Sequence, residues 1–339
     1  MISKQVAKKS IFTWFNKMKW LIAFCIAVFQ FSSLIPIALA GNAFKAQSQL
    51  PSTTSSGWWD CTRAPTKTVY VNSNKSLIKA IKKAEAGTEI ILADGHYTFD
   101  NKIKISNQGK QCQPIVIKSQ NLGDAIISRG NIVFDGASWL TFSGVTFKTV
   151  TRNNIPPILV KNSEYVRITR INFDIQSEDQ SKWVQIKTSR NVRIDHSEFQ
   201  GRDGPGNYIN VRNPSQNVNI DHNYFHDRAN IGGNGGESIY LHGLHGHRWD
   251  MDTIIEYNLF ENLDAEWELI GIKSHQNTIR NNTFINNQGT VSIRGGDYNK
   301  VYGNYFLNYT AKPTGAVRIH GRHNKVINNY AFGLTSSFI

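Results

Sequence analysis

The stretch QNVNIDHNYF at residues 216–225 is one copy of a pattern that decides the fold of this chain. Polar and apolar residues alternate until Asn223, and Phe225 closes the unit. The closing position recurs along the chain at Phe147, Phe173, Phe199, Phe225, Phe260, Phe284 and Phe306, with Ala331 in the eighth place. The intervals are 26, 26, 26, 35, 24, 22 and 25 residues. Self-similarity at such a period is typical of a solenoid.

The units are too short and too rich in β-branched residues to be helical hairpins. Each unit is therefore predicted to form one coil of a right-handed parallel β-helix, with strands about 4.8 Å apart, and the chain to be all-β. Most units carry an asparagine shortly before the closing position. We expect these side-chain amides to stack at one corner and to bond along the ladder: Asn223, Asn258, Asn282, Asn304 and Asn329.

The two ends of the repeat region differ. SLIKAIKKA at 76–84 has helical spacing, which predicts a short amphipathic helix that caps the N-terminal end of the core. The chain ends at GLTSSFI, 333–339, without a polar cap, so we expect either a weak cap or a longer parent protein. The β-helix domain is predicted to span 68–334, after a linker at 41–67.

The N-terminus predicts export. Five lysines precede an apolar run over about residues 20–40, which ends with small residues at Ala38 and Ala40. The run is almost long enough to span a bilayer, but it is interrupted by Ser32, Ser33 and Pro36. Residues 1–40 are therefore predicted to be a cleaved signal peptide. The protein would be secreted or periplasmic, with no stable membrane association after cleavage.

The mature chain would be basic. The whole chain carries a formal charge of +13, and the predicted signal holds five lysines and no acids, so 13 − 5 leaves +8 over 339 − 40 = 299 residues. Such a charge suits a polyanionic glycan, nucleic acid or anionic lipid, although a solvated basic surface has the same composition. Cys61 and Cys112 remain after processing and could pair in an oxidising compartment.

An acidic pair indicates a site. In EWELIGIKS, 266–274, Glu266 and Glu268 would point to the same side of a strand. Burying both without partners would be prohibitive, whereas a hard cation such as Ca²⁺ between them would resolve their repulsion. Asn234, about one enlarged coil earlier, could add an amide oxygen. A coincidental pair of surface acids remains the alternative.

Basic residues follow at nearly the coil period. Arg294 lies 21 residues after Lys273, and Arg318 lies 24 residues after Arg294. Stacking of equivalent positions predicts a basic column beside the acids, unless the residues belong to an ordinary solvated face. Lys273 has the opposite parity from Glu268, so we expect a bend or bulge at Gly271 that brings them to one surface.

The 35-residue interval indicates an insertion of roughly ten residues near 242–250. Insertions in solenoids form loops on one face, which is often the binding face. Tyr240 and Trp249 flank the insertion and could stack on sugar rings, or simply pack. Three histidines in this stretch could bind a metal, but no cysteine or carboxylate framework accompanies them and a glycine-rich loop is the better explanation: His242, His245 and His247.

The combination N-G-G-E, E-x-E followed by K-S, and an arginine about 21 residues later resembles polysaccharide lyase family 6, which includes alginate lyases and chondroitinase B. The resemblance covers approximately residues 68–334. It implies that Asn234, Glu266 and Glu268 hold Ca²⁺. It also implies that Lys273 is the Brønsted base and Arg294 the acid.

Two departures from the family pattern stand out. The family usually has R-H-G where this chain has Arg294-Gly295-Gly296, which puts one substrate contact in doubt. Family members also normally continue for further coils. Arg318 is predicted to bind a neighbouring uronate carboxylate in bidentate geometry, and His320 is counted with the substrate-binding residues.

The resemblance implies a secreted, Ca²⁺-dependent lyase that cleaves an acidic polysaccharide by β-elimination, with alginate as the leading expectation for the substrate. Ca²⁺ would neutralise the carboxylate beside C5, and Ca²⁺ and Arg294 together would favour the neutral amine of Lys273. A chondroitin or dermatan sulfate lyase, a C5-epimerase and a non-catalytic β-helical glycan-binding protein or adhesin are the alternatives. No nucleic-acid partner is expected, and the oligomeric state is not predicted.

Overall fold

The computed structural model describes residues 57–61, 63–148, 156–175, 182–202, 204–242 and 249–336. Within these ranges the chain forms one short helix and three parallel sheets of 11, 9 and 10 strands. Successive strands along the chain pass from sheet to sheet, and each strand pairs with its equivalents in the coils before and after. The predicted single parallel β-helix is confirmed.

Strands are numbered in chain order. The first sheet contains β1 Lys67–Val71, β2 Thr88–Leu92, β5 Ile115–Ser119, β8 Ser138–Ser143, β11 Glu164–Thr169, β14 Arg190–Asp195, β17 Gln216–Asp221, β20 Ile254–Glu256, β23 Thr278–Arg280, β26 Lys300–Tyr302 and β29 Lys325–Ile327. The second sheet contains β4 Ile103–Ile105, β7 Ile132–Asp135, β10 Ile158–Lys161, β13 Val184–Lys187, β16 Ile209–Arg212, β19 Ile239–His242, β22 Glu268–Ile272, β25 Thr290–Ile293 and β28 Val317–Ile319. The third sheet contains β3 Gly95–Thr98, β6 Ala125–Arg129, β9 Val145–Phe147, β12 Asn172–Asp174, β15 Glu198–Gln200, β18 Tyr224–Arg228, β21 Leu259–Leu263, β24 Thr283–Ile285, β27 Tyr305–Leu307 and β30 Tyr330–Phe332.

The closing aromatic positions form a continuous stack inside the third sheet. All eight predicted positions, from Phe147 to Ala331, pair in register from coil to coil. Phe199 and Phe225, for example, have ring centroids 4.6 Å apart and planes inclined by 13°. Because every ring fills the interval between coils, the stack fixes the axial register of the core.

The asparagine ladder is also confirmed. The Nδ2 of Asn223 donates to Oδ1 of Asn258 at 3.0 Å, and Asn258 donates in turn to Asn282 at 2.9 Å. The ladder continues through Asn304 to Asn329. The side-chain amides donate hydrogen bonds to one another and to backbone carbonyls at the corner. The buried polar groups of these asparagines are therefore paired.

The single helix of the described residues, α1, spans Asn74–Lys82 and covers the N-terminal end of the core. Ser73 caps it, with a reciprocal bond to Ser76. Leu77, Ala80 and Ile81 are buried in the same hydrophobic cluster as the strands. The predicted capping helix is therefore present, and it begins two residues before the predicted segment.

Cys61 and Cys112 form a disulfide, which links the N-terminal segment to the turn before β5. The predicted signal peptide, residues 1–40, and most of the predicted linker lie outside the described residues. In the ranges that the structure describes, no helix has both the length and the apolar character needed to cross a membrane.

Candidate active site

A β-bulge in β22 arranges the candidate site. Glu268 pairs with Thr290 of β25, but Ile270 pairs with the very next residue, Val291. Leu269 is therefore the extra residue, and it is buried, as is Ile270. The bulge reverses the alternation after Glu268, so Lys273 reaches the same outer face as that carboxylate.

The bulge was predicted at Gly271, and that position is wrong. Gly271 pairs regularly with Tyr240 on one side and Ser292 on the other. The bulge was expected at Gly271 because glycine tolerates irregular backbone conformations. The chain instead bulges at Leu269, whose apolar side chain can turn into the core without cost.

The predicted basic column is correct for two of its three members. The N–H of Arg294 donates to the carbonyl of Ile272, which places Arg294 beside Lys273 on the neighbouring coil. Arg318 pairs with Ser292, so it lies in the adjacent outward column, and His320 occupies the position next to Arg294. The prediction for Arg318 failed because coils differ in loop length, and near-equal spacing does not guarantee equal register.

Three carboxylates converge beside these cations. Single carboxylate oxygens of Glu237, Glu266 and Glu268 all lie within 4.8 Å of one another. We refer to these three residues as the carboxylate trio. Glu237 was not singled out from the sequence, although it is the glutamate of the N-G-G-E motif. It directly precedes the turn into β19, which points its side chain toward the predicted pair.

Hydrogen bonds hold the trio in place. Asn207 donates from Nδ2 to Oε2 of Glu237 at 2.9 Å. The backbone N–H of Gly236 donates to Oε2 of Glu266 at 2.7 Å. Glu237 and Glu266 are thus each oriented by a donor from a neighbouring turn of the β-helix.

The trio is electrostatically unfavourable without a cation. Burial raises the pKa of Glu237, and the nearby carboxylates of Glu266 and Glu268 raise it further. Burial also raises the pKa of Glu266, with Glu268 adding to the effect and the N–H groups of Gly236 and Gly235 opposing it. Converging, partly buried carboxylate oxygens are the ligands of a hard divalent cation, so these residues fit Ca²⁺.

Asn234 is exposed, and its side chain forms no hydrogen bond within the described part of the chain. It lies three residues before Glu237, in the same turn-rich segment. Its role as a metal ligand stays a prediction.

Two arginines approach the trio from the C-terminal coils. Arg294 forms a salt bridge through Nη1 with Oε1 of Glu268, and Arg318 Nη1 lies 3.5 Å from the same oxygen. The hydrogen bond to Glu268 raises the pKa of Arg294. Arg318 also donates from Nε to Nε2 of His320 at 3.1 Å. Arg318 of the predicted substrate-binding pair therefore lies beside Glu268, and His320 is hydrogen-bonded to Arg318.

Lys273 faces an aromatic ring. Its Nζ lies 5.1 Å from the ring centroid of Tyr240. Gly271 leaves the space for that ring, because a Cβ there would lie 2.9 Å from Cδ2 of Tyr240. Tyr240, predicted as a sugar platform, therefore lies beside the candidate base and over Gly271.

The other residues near the insertion are less informative. Trp249 is 40% exposed, and its carbonyl accepts the N–H of His275 at the corner that follows Lys273. His242 lies beside Tyr240 on β19, with ring centroids 5.2 Å apart. His245 and His247 lie outside the described residues.

Arg228 supports the site from within and was not predicted. It is buried, and it donates to the carbonyls of Gly236, Gly204 and Gly206. These bonds fix the turn that supplies the Gly236 N–H to the trio. The sequence signal was weak, because an arginine three residues after a closing phenylalanine normally indicates a solvent-exposed position.

The fold and the site define a β-helical protein whose second sheet carries acids, a lysine and arginines on one face. A family model described as Chondroitinase B matches residues 71–337, and the chain therefore belongs to the polysaccharide lyase family 6 proteins. No curated protein matches the sequence.

Solved structures support the same assignment. The PL6 family alginate lyase AlyGC is 30% identical, with a TM-score of 0.74 over 78% of this chain and 38% of its own. A mannuronic acid specific family 6 lyase from human gut microbiota is 26% identical, with a TM-score of 0.72 over 78% and 64%. The PL6 lyase Pedsa3628 from Pseudopedobacter saltans is 26% identical, with a TM-score of 0.71 over 78% and 63%. The chain thus spans less than two thirds of the length of these relatives.

Proposed function

We propose that this protein is a Ca²⁺-dependent polysaccharide lyase that cleaves an acidic, uronate-containing polymer by β-elimination. The observation that carries the proposal is the carboxylate trio on the same outer face as Lys273 and Arg294. Solved relatives described as alginate lyases make alginate the first substrate to test.

The trio would hold the metal. Glu237, Glu266 and Glu268 supply oxygen ligands, with Asn234 as a further candidate. When bound, Ca²⁺ would neutralise the uronate carboxylate and so make the adjacent C5 proton easier to remove. Ligation would also relieve the repulsion that raises the carboxyl pKa values of Glu237 and Glu266.

Lys273 is the proposed base. Its neutral amine would accept the C5 proton of the uronate. The electron pair of the C5–H bond then forms the C4–C5 double bond, and the C4–O4 bond breaks. The two new ends are a 4,5-unsaturated uronate and the departing sugar with its O4.

Arg294 is the proposed electrophilic group. Its salt bridge with Glu268 raises its pKa, so the guanidinium keeps its proton throughout. It would stabilise the negative charge that develops on O4, while water supplies the proton to the leaving oxygen. Arg318 and His320, in the neighbouring positions, would bind an adjacent uronate carboxylate.

The test is the ultraviolet absorbance of the unsaturated uronate. Purified protein with Ca²⁺ and alginate should produce this chromophore, and a chelator or Lys273→Ala should abolish it. Lys325→Ala, an exposed lysine on the first sheet, is the matched control and should remain active. Elimination that survives Lys273→Ala would remove the base assignment.

The absorbance assay separates the substrate alternatives, and measurements of polymer composition and of binding separate the reaction alternatives. Chondroitin and dermatan sulfate are tested beside alginate, with mannuronate-rich and guluronate-rich blocks compared. A changed mannuronate content without chain cleavage would indicate a C5-epimerase instead. Binding without either change would indicate a non-catalytic glycan-binding protein.

Export is a further part of the proposal, supported by the basic and apolar pattern of residues 1–40. The lyase would act outside the cytoplasm, where extracellular polysaccharides are found. Mass spectrometry of the protein recovered from its host should show an N-terminus near Gly41. A chain that begins at Met1 would overturn cleavage.

A further inference from the structure

A groove runs along the outer face of the first sheet, whereas the carboxylate trio and Lys273 lie on the second sheet. Its volume is about 570 Å³. It extends over the four coils that contain β20, β23, β26 and β29, which is about 14 Å along the axis of the β-helix. Residues at the corner before each strand form its wall, and outward residues of the strands form its floor. The following discussion of the groove concerns Gln276, Tyr298 and His323 of the wall and Thr278 and Lys300 of the floor.

The wall belongs to a column of corner residues that runs along the whole first sheet. Each of these residues lies two positions before an outward residue of its strand, and those outward residues pair in register from coil to coil. Trp139, Tyr165, Tyr298 and His323 all occupy this corner position, with φ between 50° and 60°. The column therefore carries one aromatic pair toward each end of the sheet.

The aromatic pair at the N-terminal end is covered by the chain itself. The rings of Trp139 and Tyr165 are stacked, with centroids 4.0 Å apart. Trp58 packs edge-on against both rings, at 5.9 and 5.5 Å. The ring of Trp59 lies 4.3 Å from the guanidinium of Arg193, which is an outward residue of the same sheet. Two rings from the N-terminal segment thus occupy this part of the sheet face.

The aromatic pair at the C-terminal end is not covered. The rings of Tyr298 and His323 are stacked in the same way, with centroids 4.8 Å apart and planes inclined by 12°. Tyr298 is 55% exposed, and no further ring packs on the pair within the ranges that the structure describes. The groove therefore presents an aromatic surface that is open to a ligand.

Polar side chains complete this surface. Gln276, Thr278 and Lys300 line the same groove, and their side chains form no hydrogen bond or ion pair within the described residues. An aromatic surface with a few convergent polar groups is typical of a ligand site. A sugar ring matches it, because its C–H face is apolar and its hydroxyl groups bond to an amide and a hydroxyl. The ammonium group of Lys300 would select a sugar that carries a carboxylate.

We propose that this groove is a second, non-catalytic binding site for uronate-containing segments of the polymer. Tyr298 would stack on a sugar ring, and Lys300 would bind a uronate carboxylate. The inference rests on the proposed function, because it names a second contact with the same substrate. A polymer held on the first sheet would have a raised effective concentration at the second sheet, so the groove would favour long chains over short ones.

The experiment counts bound oligosaccharides. Tetrasaccharides of alginate and of chondroitin are titrated by calorimetry into Lys273→Ala, which prevents cleavage. Adding Tyr298→Ala should reduce the number of bound tetrasaccharides by one per chain. Adding Lys300→Gln instead should weaken binding at the groove and reduce its dependence on salt. The same number bound with and without Tyr298, for both sugars, would overturn the inference.

Tyr70→Ala is the matched control, because Tyr70 is an exposed tyrosine of the same sheet that lies in β1, far from the groove. It should leave the number of bound tetrasaccharides unchanged. With polymer as substrate, Tyr298→Ala should raise KM about fivefold, as expected for the loss of one stacking contact, and Tyr70→Ala should not. Equal effects of the two tyrosine variants would contradict a site in the groove.

The count also separates this inference from the proposed function. If the second sheet binds no sugar and no elimination is found, the change caused by Tyr298→Ala is from one bound tetrasaccharide to none. If the second sheet does bind, the change is from two to one. Elimination that depends on Lys273, together with a count that does not depend on Tyr298, would reject the groove and leave the proposed function standing.

Discussion

Leu269 is the extra residue that the second sheet accommodates between Glu268 and Ile270. Without it, strict alternation would place Glu268 and Lys273 on opposite faces of β22. With it, a carboxylate and the candidate base share one face while Leu269 and Ile270 both remain in the core. A single inserted residue therefore links the packing of the core to the chemistry of the surface.

Gly271 offers a direct test of this arrangement. Gly271→Ala would bring a Cβ within 2.9 Å of the Tyr240 ring and within 3.4 Å of Glu237 Cγ. We expect the ring to move away from Lys273 and activity to fall on the order of 10²-fold, as a misplacement of roughly 1 Å can cause. Initial rates of elimination measure the effect.

Gly295→Ala is the matched control, because a Cβ at Gly295 meets nothing within 4 Å. It should remain close to the parent protein in both activity and melting temperature. Equal activity losses in the two variants would show that the space beside Tyr240 is not what Gly271 provides.

Glu237 is the trio member with the least support from the sequence, so its contribution is measured separately. Glu237→Gln keeps the shape of the side chain but removes one negative charge. We expect weaker Ca²⁺ binding, and we expect the metal-free protein to be more stable at neutral pH because a source of repulsion is gone. Calorimetry after chelator treatment measures the first effect, and thermal unfolding measures the second.

Glu85→Gln, at an exposed position far along the chain from the site, is the control. Ca²⁺ affinity that is the same in Glu237→Gln and in the control would exclude Glu237 as a ligand. The site would then consist of the predicted residues Asn234, Glu266 and Glu268.

At the scale of elements, the ladders of identical residues convert a sequence repeat into a rigid stack. Asn258 shows why: its amide donates to Asn282 and to the carbonyl of Ile220, while its oxygen accepts from Asn223. One side chain therefore connects three coils. The coils that carry Glu237, Glu266 and Lys273 contain rungs of this asparagine ladder. The hydrogen bonds of the ladder therefore also restrain the backbone on which the site is built.

Asn258→Ala should destabilise the protein by about 1–3 kcal/mol, since it leaves buried partners unsatisfied. Asn329→Ala is the matched control, because Asn329 is half-buried in the last rung of the ladder and has fewer partners. Its loss should be clearly smaller. Denaturant unfolding compares the two variants, and equal losses would contradict a role for burial in the ladder.

At the scale of the whole molecule, the N-terminal end of the solenoid is closed by α1 and by the disulfide. A solenoid must cover its terminal apolar cross-section, and Leu77 and Ile81 do so here. The Cys61–Cys112 bond spans 51 residues and ties the first segment to this capped end. The site lies several coils away, so the two regions are expected to respond separately to mutation.

Replacing both cysteines with serine tests that separation. The loop length predicts a loss of about 4 kcal/mol in the free energy of unfolding, chiefly because the unfolded chain becomes less constrained. Activity well below the melting temperature should be retained, since neither cysteine lies near the trio. Thermal unfolding with parallel rate measurements checks both points, and an unchanged melting temperature would contradict the stabilising role.

The repeat determined the architecture from sequence alone. The period, the phenylalanine positions and the asparagine ladder were all correct, because a solenoid stacks equivalent residues and its contacts are therefore local in the repeat. The acidic pair and the lysine were also visible, since repulsion between Glu266 and Glu268 demands an explanation at the level of residue chemistry.

Only the tertiary structure decided the register of the site. The bulge at Leu269, the shift of Arg318 to the column beside Lys273 and Arg294, and the arrival of Glu237 next to Glu266 all depend on loop lengths and on which residue turns into the core. Those choices are settled by packing between neighbouring coils. A spacing counted along the chain cannot reveal them, because one added residue reverses every side chain that follows.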